Sequence, residues 1–391
     1  MTSTTNYIKA KELLLKASAD QGFLASATDV ANYKRVWARD GVICGLAALL
    51  DGDETLINTF KNTLLTLAKN QHALGNIPSN VFFYENNTEV SFGGLAGRVD
   101  TISWFIIGVC NYTFITKDES LLIELKSNIE KGFLLLEAWE FNVNDLIYVP
   151  RSGNWADEYI TEGHILYDQL LRLWALRSYA HFNASKKITD KINSITDKID
   201  SNYRKSDNNP RPYHPKAFKN LKNYDYWMAS INPSGYQTMF DGFANSLALL
   251  LDIGDSTFKK RVVGYAEQLR QSLSLKLIPA FWKPIKKDDA DWRLLTNNCK
   301  YEFRNYPFEF HNGGTWQIVN AFYGIGVYTH HKTISLEVLE HIKGLNSKED
   351  FSFSENFNSK TGLPNGIEFC AWSAAGEILL TQYLKGKKLL N

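Results

Sequence analysis

The alternation of short and long connections between helices constrains the fold of this chain more than any other feature of its sequence. Apolar residues recur at helical spacing throughout and predict twelve helices. They span residues 6–19, 40–51, 54–70, 100–116, 119–139, 163–182, 186–202, 238–252, 255–275, 313–329, 332–346 and 367–384. Five connections are short and polar, as in 51–53 and 252–254, and turns of this kind join antiparallel neighbours.

The other six connections are long. They cover residues 20–39, 71–99, 140–162, 203–237, 276–312 and 347–366. Every second connection of an up-down helix array lies on one face, so six hairpins closed into a ring would place all six long loops around one cleft. We therefore predict an all-α fold, an (α/α)6 toroid forming a single domain over residues 1–391, with room for short strands in the loops. An open solenoid of hairpins is the alternative, but solenoids show a sequence period and this chain shows none.

Composition excludes several classes of function. Lys and Arg number 43 against 42 Asp and Glu, so the basic excess of a nucleic-acid-binding protein is missing. The sequence shows neither an apolar run long enough to span a membrane nor a signal peptide at its start. The four cysteines are far apart and form no CxxC pair. We expect a cytoplasmic protein with no nucleic-acid or membrane partner, and the near-zero net charge leaves a homo-oligomer open.

Polar and aromatic residues gather in the long loops, in a chain that is 13% aromatic. A lone Trp beside an Asp is usually a half-buried ring and a turn cap, and Asp40 and Asp100 lie at helix starts, where the helix dipole favours a carboxylate. Such residues in six loops on one face nevertheless describe a sugar cleft, in which rings stack on the pyranose and carboxylates bind its hydroxyls. We expect no metal and no cofactor, because Asp289 and Asp291 lack further ligand spacing and Cys299 with His311 gives no zinc pattern.

Several segments, in order along nearly the whole chain, resemble the (α/α)6 glycosidases. Residues 35–40 (RVWARD), 291–293 (DWR) and 311–316 (HNGGTW) resemble motifs of the alkaline/neutral invertases. Residues 151–157 (RSGNWAD) are similar to the Ser-Gly-Trp-Asp segment of trehalases, with one extra residue before Asp157. Residues 354–358 (SENFN) resemble the Glu-Asn-Tyr-Asn segment of processing α-glucosidases.

The resemblance implies an inverting glycoside hydrolase with a carbohydrate substrate. Asp157 would be the general acid and Glu355 the general base, with Glu158 as the alternate acid. Inverting enzymes hold the two carboxyl groups about 6.5–9.5 Å apart to admit a water. The residues expected to bind the sugar are Trp37, Arg39, Asp40, Asp100, Trp104, Trp155, Trp292, Arg293, His311, Asn312 and Trp316.

The order of motifs favours sucrose as the substrate, cleaved from its end, since long loops closing over the cleft would leave a short pocket. The alternative is another small α-glucoside or α-mannoside, such as a glycosylglycerate or trehalose, because the Asp157 and Glu355 segments look less invertase-like. Two other hypotheses remain. A sugar-binding toroid without catalysis would not need two facing carboxylates, and a toroidal prenyltransferase or cyclase would need zinc or an aspartate-rich diphosphate motif.

Overall fold

The computed structural model describes residues 3–30, 32–85, 87–206, 209 and 211–391, and helices are its main element. The helices are α1 (Ser3–Lys16), α2 (Ala38–Asp51), α3 (Glu54–Lys69), α4 (Asp100–Thr116), α5 (Ser120–Glu124), α6 (Lys126–Ala138), α7 (Leu166–Ala180), α8 (Lys186–Asn202), α9 (Pro215–Lys219), α10 (Gly242–Leu250), α11 (Ser256–Ser272), α12 (Trp292–Asn297), α13 (Gln317–Val327), α14 (Lys332–Asn346), α15 (Lys348–Phe351) and α16 (Ala371–Leu384). The strands are β1 (Ser18–Ala19), β2 (Gly22–Phe23), β3 (Val36–Trp37), β4 (Asn80–Tyr84), β5 (Asn87–Ser91), β6 (His164–Ile165), β7 (Met228–Asn232), β8 (Gly235–Asp241), β9 (Phe281–Trp282), β10 (Asn356–Phe357) and β11 (Pro364–Asn365).

Six inner helices form a closed ring. Helices α2, α4, α7, α10, α13 and α16 each pack against the next, and α16 packs against α2. Inner helices are apolar nearly all round, as in α2, where every residue except Asp51 is buried. Gly45 of α2 lets α3 approach closely, because a Cβ there would lie 1.9 Å from the Phe60 ring. This ring confirms the predicted closed toroid, and the open solenoid is excluded.

The outer layer consists of amphipathic helices, each antiparallel to an inner one. The exposed helix α8 buries only Ile195, Ile199 and Asn202 and is capped by the Ser185 side chain, which accepts from the Ile188 N–H. Helix α1 packs on α16, so the two ends of the described chain complete the sixth hairpin. The expected helix over 119–139 is divided into α5 and α6 at Leu125.

The long loops carry short antiparallel sheets that join one loop to the next. Strands β3, β4 and β5 link the first and second long loops, and β6, β7, β8 and β9 link the third, fourth and fifth. The helix expected from residue 238 is wrong at its start, because Phe240 pairs with Met228 and Trp282 and stays extended as part of β8. All the long loops lead into the N-terminal ends of inner helices and therefore share one face, as predicted.

The lumen of the ring is filled rather than open. Trp104 packs edge-on against Trp174 and lies beside Phe322, and these rings belong to one continuous apolar cluster. At the other end of the ring the carbonyl of Leu390 accepts from Trp174 Nε1 at 2.6 Å and from the Asn111 side chain at 3.2 Å. In the part of the chain that the structure describes, the lumen is thus closed at this end, which leaves the long-loop face for a ligand. Among the described helices, none is both long and apolar enough to cross a membrane.

Candidate active site

The candidate active site lies where the long loops enter the inner helices. Arg39 and Asp40 come from the first turn of α2, and Asp100 begins α4. The third and sixth long loops bring Asp157 and Glu355. Burial raises the pKa of Asp40, and the charges of Asp100 and Asp157 add to this rise while Arg39 opposes it. Burial also raises the pKa of Glu355, and the Asp40 charge adds to that rise. Asp40 is thus within electrostatic reach of both predicted catalytic carboxyls, whose roles stay predictions.

Glu355 is a buried carboxyl with directed hydrogen bonds. Tyr33 Oη donates to its Oε1 at 2.9 Å, and the Ile367 N–H lies 3.4 Å from Oε2. Burial raises the pKa of Glu355 to about 7, although both of these hydrogen bonds lower it. A carboxyl with that pKa changes protonation state near neutral pH, which suits proton transfer.

Gly366 leaves the space that the Glu355 carboxyl occupies. Its φ is +79°, in the left-handed region that favours glycine. A Cβ at this position would lie 2.2 Å from Glu355 Oε2 and 2.7 Å from Glu355 Cβ. Any other residue at 366 would therefore displace the carboxyl.

Asp157 lies in a tightly held turn of residues 150–160, here named the Asp157 loop. Arg98 Nη2 donates to Asp157 Oδ2 at 2.7 Å, and Arg98 Nη1 donates to the Ser152 carbonyl at 2.9 Å. The Val99 N–H donates to the Gly153 carbonyl at 2.7 Å. The Asp157 side chain is 38% exposed, so it is open to the cleft while its position is fixed.

Glu158, the alternate acid, differs from its neighbour in environment. Burial and the Asp157 charge raise the pKa of Glu158, while Arg304 and Arg98 oppose that shift. Its backbone carbonyl accepts from Asn305 Nδ2 at 3.1 Å. Both Asp157 and Glu158 therefore stay candidates for the general acid.

A second layer of polar groups lies under the carboxylates. Arg39 Nη1 donates to Asp100 Oδ2 at 2.8 Å in a buried ion pair. Tyr167 Oη also donates to Asp100 Oδ2, at 3.3 Å, and accepts from Trp104 Nε1 at 2.9 Å. Trp104 is 0% exposed. The ring is sealed in the lumen and supports Tyr167, and direct sugar binding by Trp104 stays a prediction.

One wall of the site is aromatic. His311 stacks on Trp316 with ring centroids 5.2 Å apart, and Trp155 lies edge-on to both rings at 4.8 and 5.8 Å. Burial lowers the pKa of His311 to about 4, so the imidazole is neutral at pH 7. The structure brings these three predicted sugar-binding residues together, and all three are largely buried.

The remaining predicted residues lie at the periphery of this cluster. Asn312 is fully buried, and its side chain binds the backbone of Ile285 and Asn305, which fixes the loop, while sugar binding by Asn312 stays a prediction. Trp37 precedes α2, and its Nε1 donates to the Asn32 carbonyl at 3.0 Å. Trp292 packs edge-on against Phe303, and Arg293 is exposed. Sugar contacts by Trp37, Trp292 and Arg293 stay predictions.

Sequence reasoning missed Tyr33, Arg98 and Gly366 as site residues. Arg98 had a usable signal, since it lies two positions before Asp100 at a helix start. Tyr33 and Gly366 had none, because Tyr33 meets Glu355 where the first and sixth long loops come together, and Gly366 meets it across the hairpin of β10 and β11. Among the described residues, no group of three or more His, Cys, Asp or Glu side chains is arranged to hold a metal ion.

Comparison with solved structures places the fold among (α/α)6 glycosidases. The GH63 mannosylglycerate hydrolase from Thermus thermophilus, solved with Tris, superposes with a TM-score of 0.71 at 13% identity over 96% of this chain and 99% of that one. A bacterial glucoamylase in complex with acarbose superposes with a TM-score of 0.65 at 14% identity, over 99% of this chain and 56% of the glucoamylase chain. A rhamnosidase from Klebsiella oxytoca superposes with a TM-score of 0.59 at 12% identity, over 98% of this chain and 65% of the rhamnosidase chain. No protein-family model and no curated sequence matches the chain. Identities this low show the fold, and they confirm the predicted toroid.

Proposed function

We propose that this protein is an inverting glycoside hydrolase that uses Asp157 as general acid and Glu355 as general base. The observation that carries the proposal is that two different long loops each bring one fixed carboxyl to the site, Glu355 held by Tyr33 at 2.9 Å and Asp157 held by Arg98 at 2.7 Å. A sugar-binding toroid without catalysis would have no need of this convergence. The fold neighbours described above support the same reaction class, because each is a glycosidase that superposes on at least 96% of this chain.

The base acts on the water that attacks the anomeric carbon. Glu355 accepts the proton of this water, while Tyr33 holds the carboxyl through Oε1 and the Ile367 N–H lies near Oε2. A base with a pKa of about 7 is strong enough to take the proton and is still ionised in a useful fraction of molecules at neutral pH.

The acid protonates the oxygen of the departing group. Asp157 is held by Arg98, whose Nη2 lies 2.7 Å from its Oδ2. A sugar bound in the cleft would cover the exposed part of the Asp157 side chain. The aromatic wall of Trp155, His311 and Trp316 supplies the apolar surroundings that such a bound sugar would complete.

For the substrate we propose a small α-linked glucoside or mannoside of the glycosylglycerate class. A mannosylglycerate hydrolase matches this chain from end to end, whereas none of the neighbours described above is an invertase. Sucrose, which the order of sequence motifs favours, thus becomes the second substrate to test, followed by trehalose. A filled lumen below the site leaves no room for rings beyond the terminal sugar, so we expect exo-acting cleavage, and long loops around the cleft favour a glycoside of one or two rings over a long glucan.

The test combines a substrate panel with three variants. Purified protein is incubated with mannosylglycerate, glucosylglycerate, sucrose, trehalose and a long α-glucan. Hydrolysis of a small glycoside faster than the glucan is expected, and turnover of none of them would overturn the proposal. Asp157→Asn, Glu158→Gln and Glu355→Gln are then compared on that glycoside and on the glycosyl fluoride of its sugar.

Fluoride leaves without a proton from the protein, so the fluoride arm separates the roles. The activity of the acid variant should fall about 10²–10⁴-fold on the glycoside and far less on the fluoride, whereas the base variant should lose activity on both substrates. We expect Asp157→Asn to show the selective loss and Glu158→Gln to retain most activity on both substrates. The opposite order would transfer the acid role to Glu158, and full activity of Glu355→Gln would remove the base.

A further inference from the structure

A buried carboxyl outside the reacting pair is tied directly to the Asp157 loop. Asp168 is the third residue of the inner helix α7 and is 1% exposed. Its Oδ2 accepts from Asn154 Nδ2 at 2.9 Å, and Asn154 is itself 2% exposed. The mechanism above does not use Asp168, and burying a carboxyl without a function is costly.

Asn154 passes this contact on to the turn that carries Asp157. Its Oδ1 accepts from the Ala156 N–H at 3.1 Å and so closes the turn one residue before Asp157. Asn154 also precedes Trp155, whose ring lies against His311 in the aromatic wall. The side chain of Asp168 thus fixes the amide of Asn154, and this amide fixes the backbone on which Asp157 is mounted.

We propose that Asp168 is a positioning residue for the general acid and acts through Asn154 to hold the Asp157 loop. This inference rests on the proposed function and assigns a role to a residue that does not touch the substrate. Burial and, next, the Asp100 charge raise the pKa of Asp168 well above its usual range. Asparagine at this position keeps the shape of the side chain and an oxygen that can accept from Asn154 Nδ2.

The kinetic test uses the glycoside and the glycosyl fluoride of the same sugar. Asp168→Ala and Asn154→Ala should each lower kcat on the glycoside about 10–100-fold, because a displaced acid misses the departing oxygen. The kcat of both variants on the fluoride should fall less than about threefold, because fluoride departs without a proton from the general acid. KM should change little, the double variant should be no worse than either single one, and Asp168→Asn should stay close to the wild type. Equal losses on both substrates, or a change in KM alone, would overturn the proposal.

A second readout does not depend on activity. Amide hydrogen exchange over residues 150–160 should be about tenfold faster in Asp168→Ala and unchanged in Asp168→Asn, because the alanine leaves Asn154 without its acceptor. Glu377→Ala is the matched control, since it removes another buried inner-helix carboxyl, one bound by Asn346. Exchange that is unchanged in Asp168→Ala, or equally raised in Glu377→Ala, contradicts the proposal. A wild type that cleaves no glycoside defeats the proposed function, and the exchange data still decide whether Asp168 holds the loop.

Discussion

Tyr33 Oη donates a hydrogen bond of 2.9 Å to Glu355 Oε1, across a separation of 322 positions in the sequence. The first long loop supplies the phenol and the sixth supplies the carboxyl, and these loops lead into α2 and α16, which pack against each other where the ring closes. The candidate base therefore lies at the junction between the first and last inner helices.

Removing that phenol should shift the pH profile of the reaction. The Tyr33 hydrogen bond lowers the pKa of Glu355, so Tyr33→Phe should raise this pKa and move the acidic limb of kcat toward higher pH by about one unit. The measurement is kcat against pH on the best glycoside. Tyr7→Phe is the control, because Tyr7 binds Asp51, a carboxyl outside the site. A limb that stays in place or moves to lower pH would show that Glu355 is not the titrating base.

Substitution of Gly366 should abolish activity without unfolding the protein. Gly366→Ala introduces a Cβ where Glu355 Oε2 lies, so kcat should fall at least about 100-fold. Gly386→Ala is matched for backbone strain, since Gly386 also has a positive φ, of +94°, but has nothing within 4 Å of a built Cβ. Both variants should lose about 1 kcal/mol of stability in urea unfolding, and only Gly366→Ala should be inactive. Equal activities would contradict the assignment of Glu355.

The aromatic wall should contribute to sugar binding. Trp316→Phe replaces the indole that stacks on His311 by a smaller ring and should weaken ligand affinity about tenfold. The affinity is measured by calorimetry in the inactive Glu355→Gln background. Trp174→Phe alters an equally buried indole near Leu390, at the opposite end of the ring, and should leave affinity within about twofold. Similar losses of affinity in both variants would show that the aromatic wall does not bind the sugar.

The dependence of stability on pH should reveal the buried carboxyl of Glu377. Burial raises the pKa of Glu377 to about 7, above the value of an unfolded glutamate. The folded state therefore holds a proton that the unfolded state releases, and this contribution to stability is present below about pH 4.5 and lost as pH rises through 7. Glu377→Gln should gain stability over the wild type across that range, by up to about 3 kcal/mol at pH 8. A difference in unfolding free energy that is constant with pH would contradict the shift.

The sequence predicted the ring well because helical periodicity and loop length are local properties of the chain. Twelve helices and the common face of the long loops follow from them. The start of the helix predicted at residue 238 failed because Phe240 finds sheet partners in two other segments, and no local pattern records this pairing.

Candidate site residues could be named from the sequence where a residue belongs to a recognisable segment, as for Asp40, Asp157 and Glu355, whose roles stay predictions. The site was not predictable where three-dimensional packing decides exposure. Trp104 belongs to such a segment and is nevertheless sealed inside the lumen. Gly366 looks like any turn glycine until the position of the Glu355 carboxyl is known.

The stereochemistry of the first product tests the central claim most directly. The protein is incubated with an α-linked glycosylglycerate, and the anomeric protons of the released sugar are followed by NMR before mutarotation. Attack by a water held at Glu355, with Asp157 protonating the departing oxygen, predicts that the β-anomer appears first. Release of the α-anomer first, or no release from any small α-glycoside, would contradict the account.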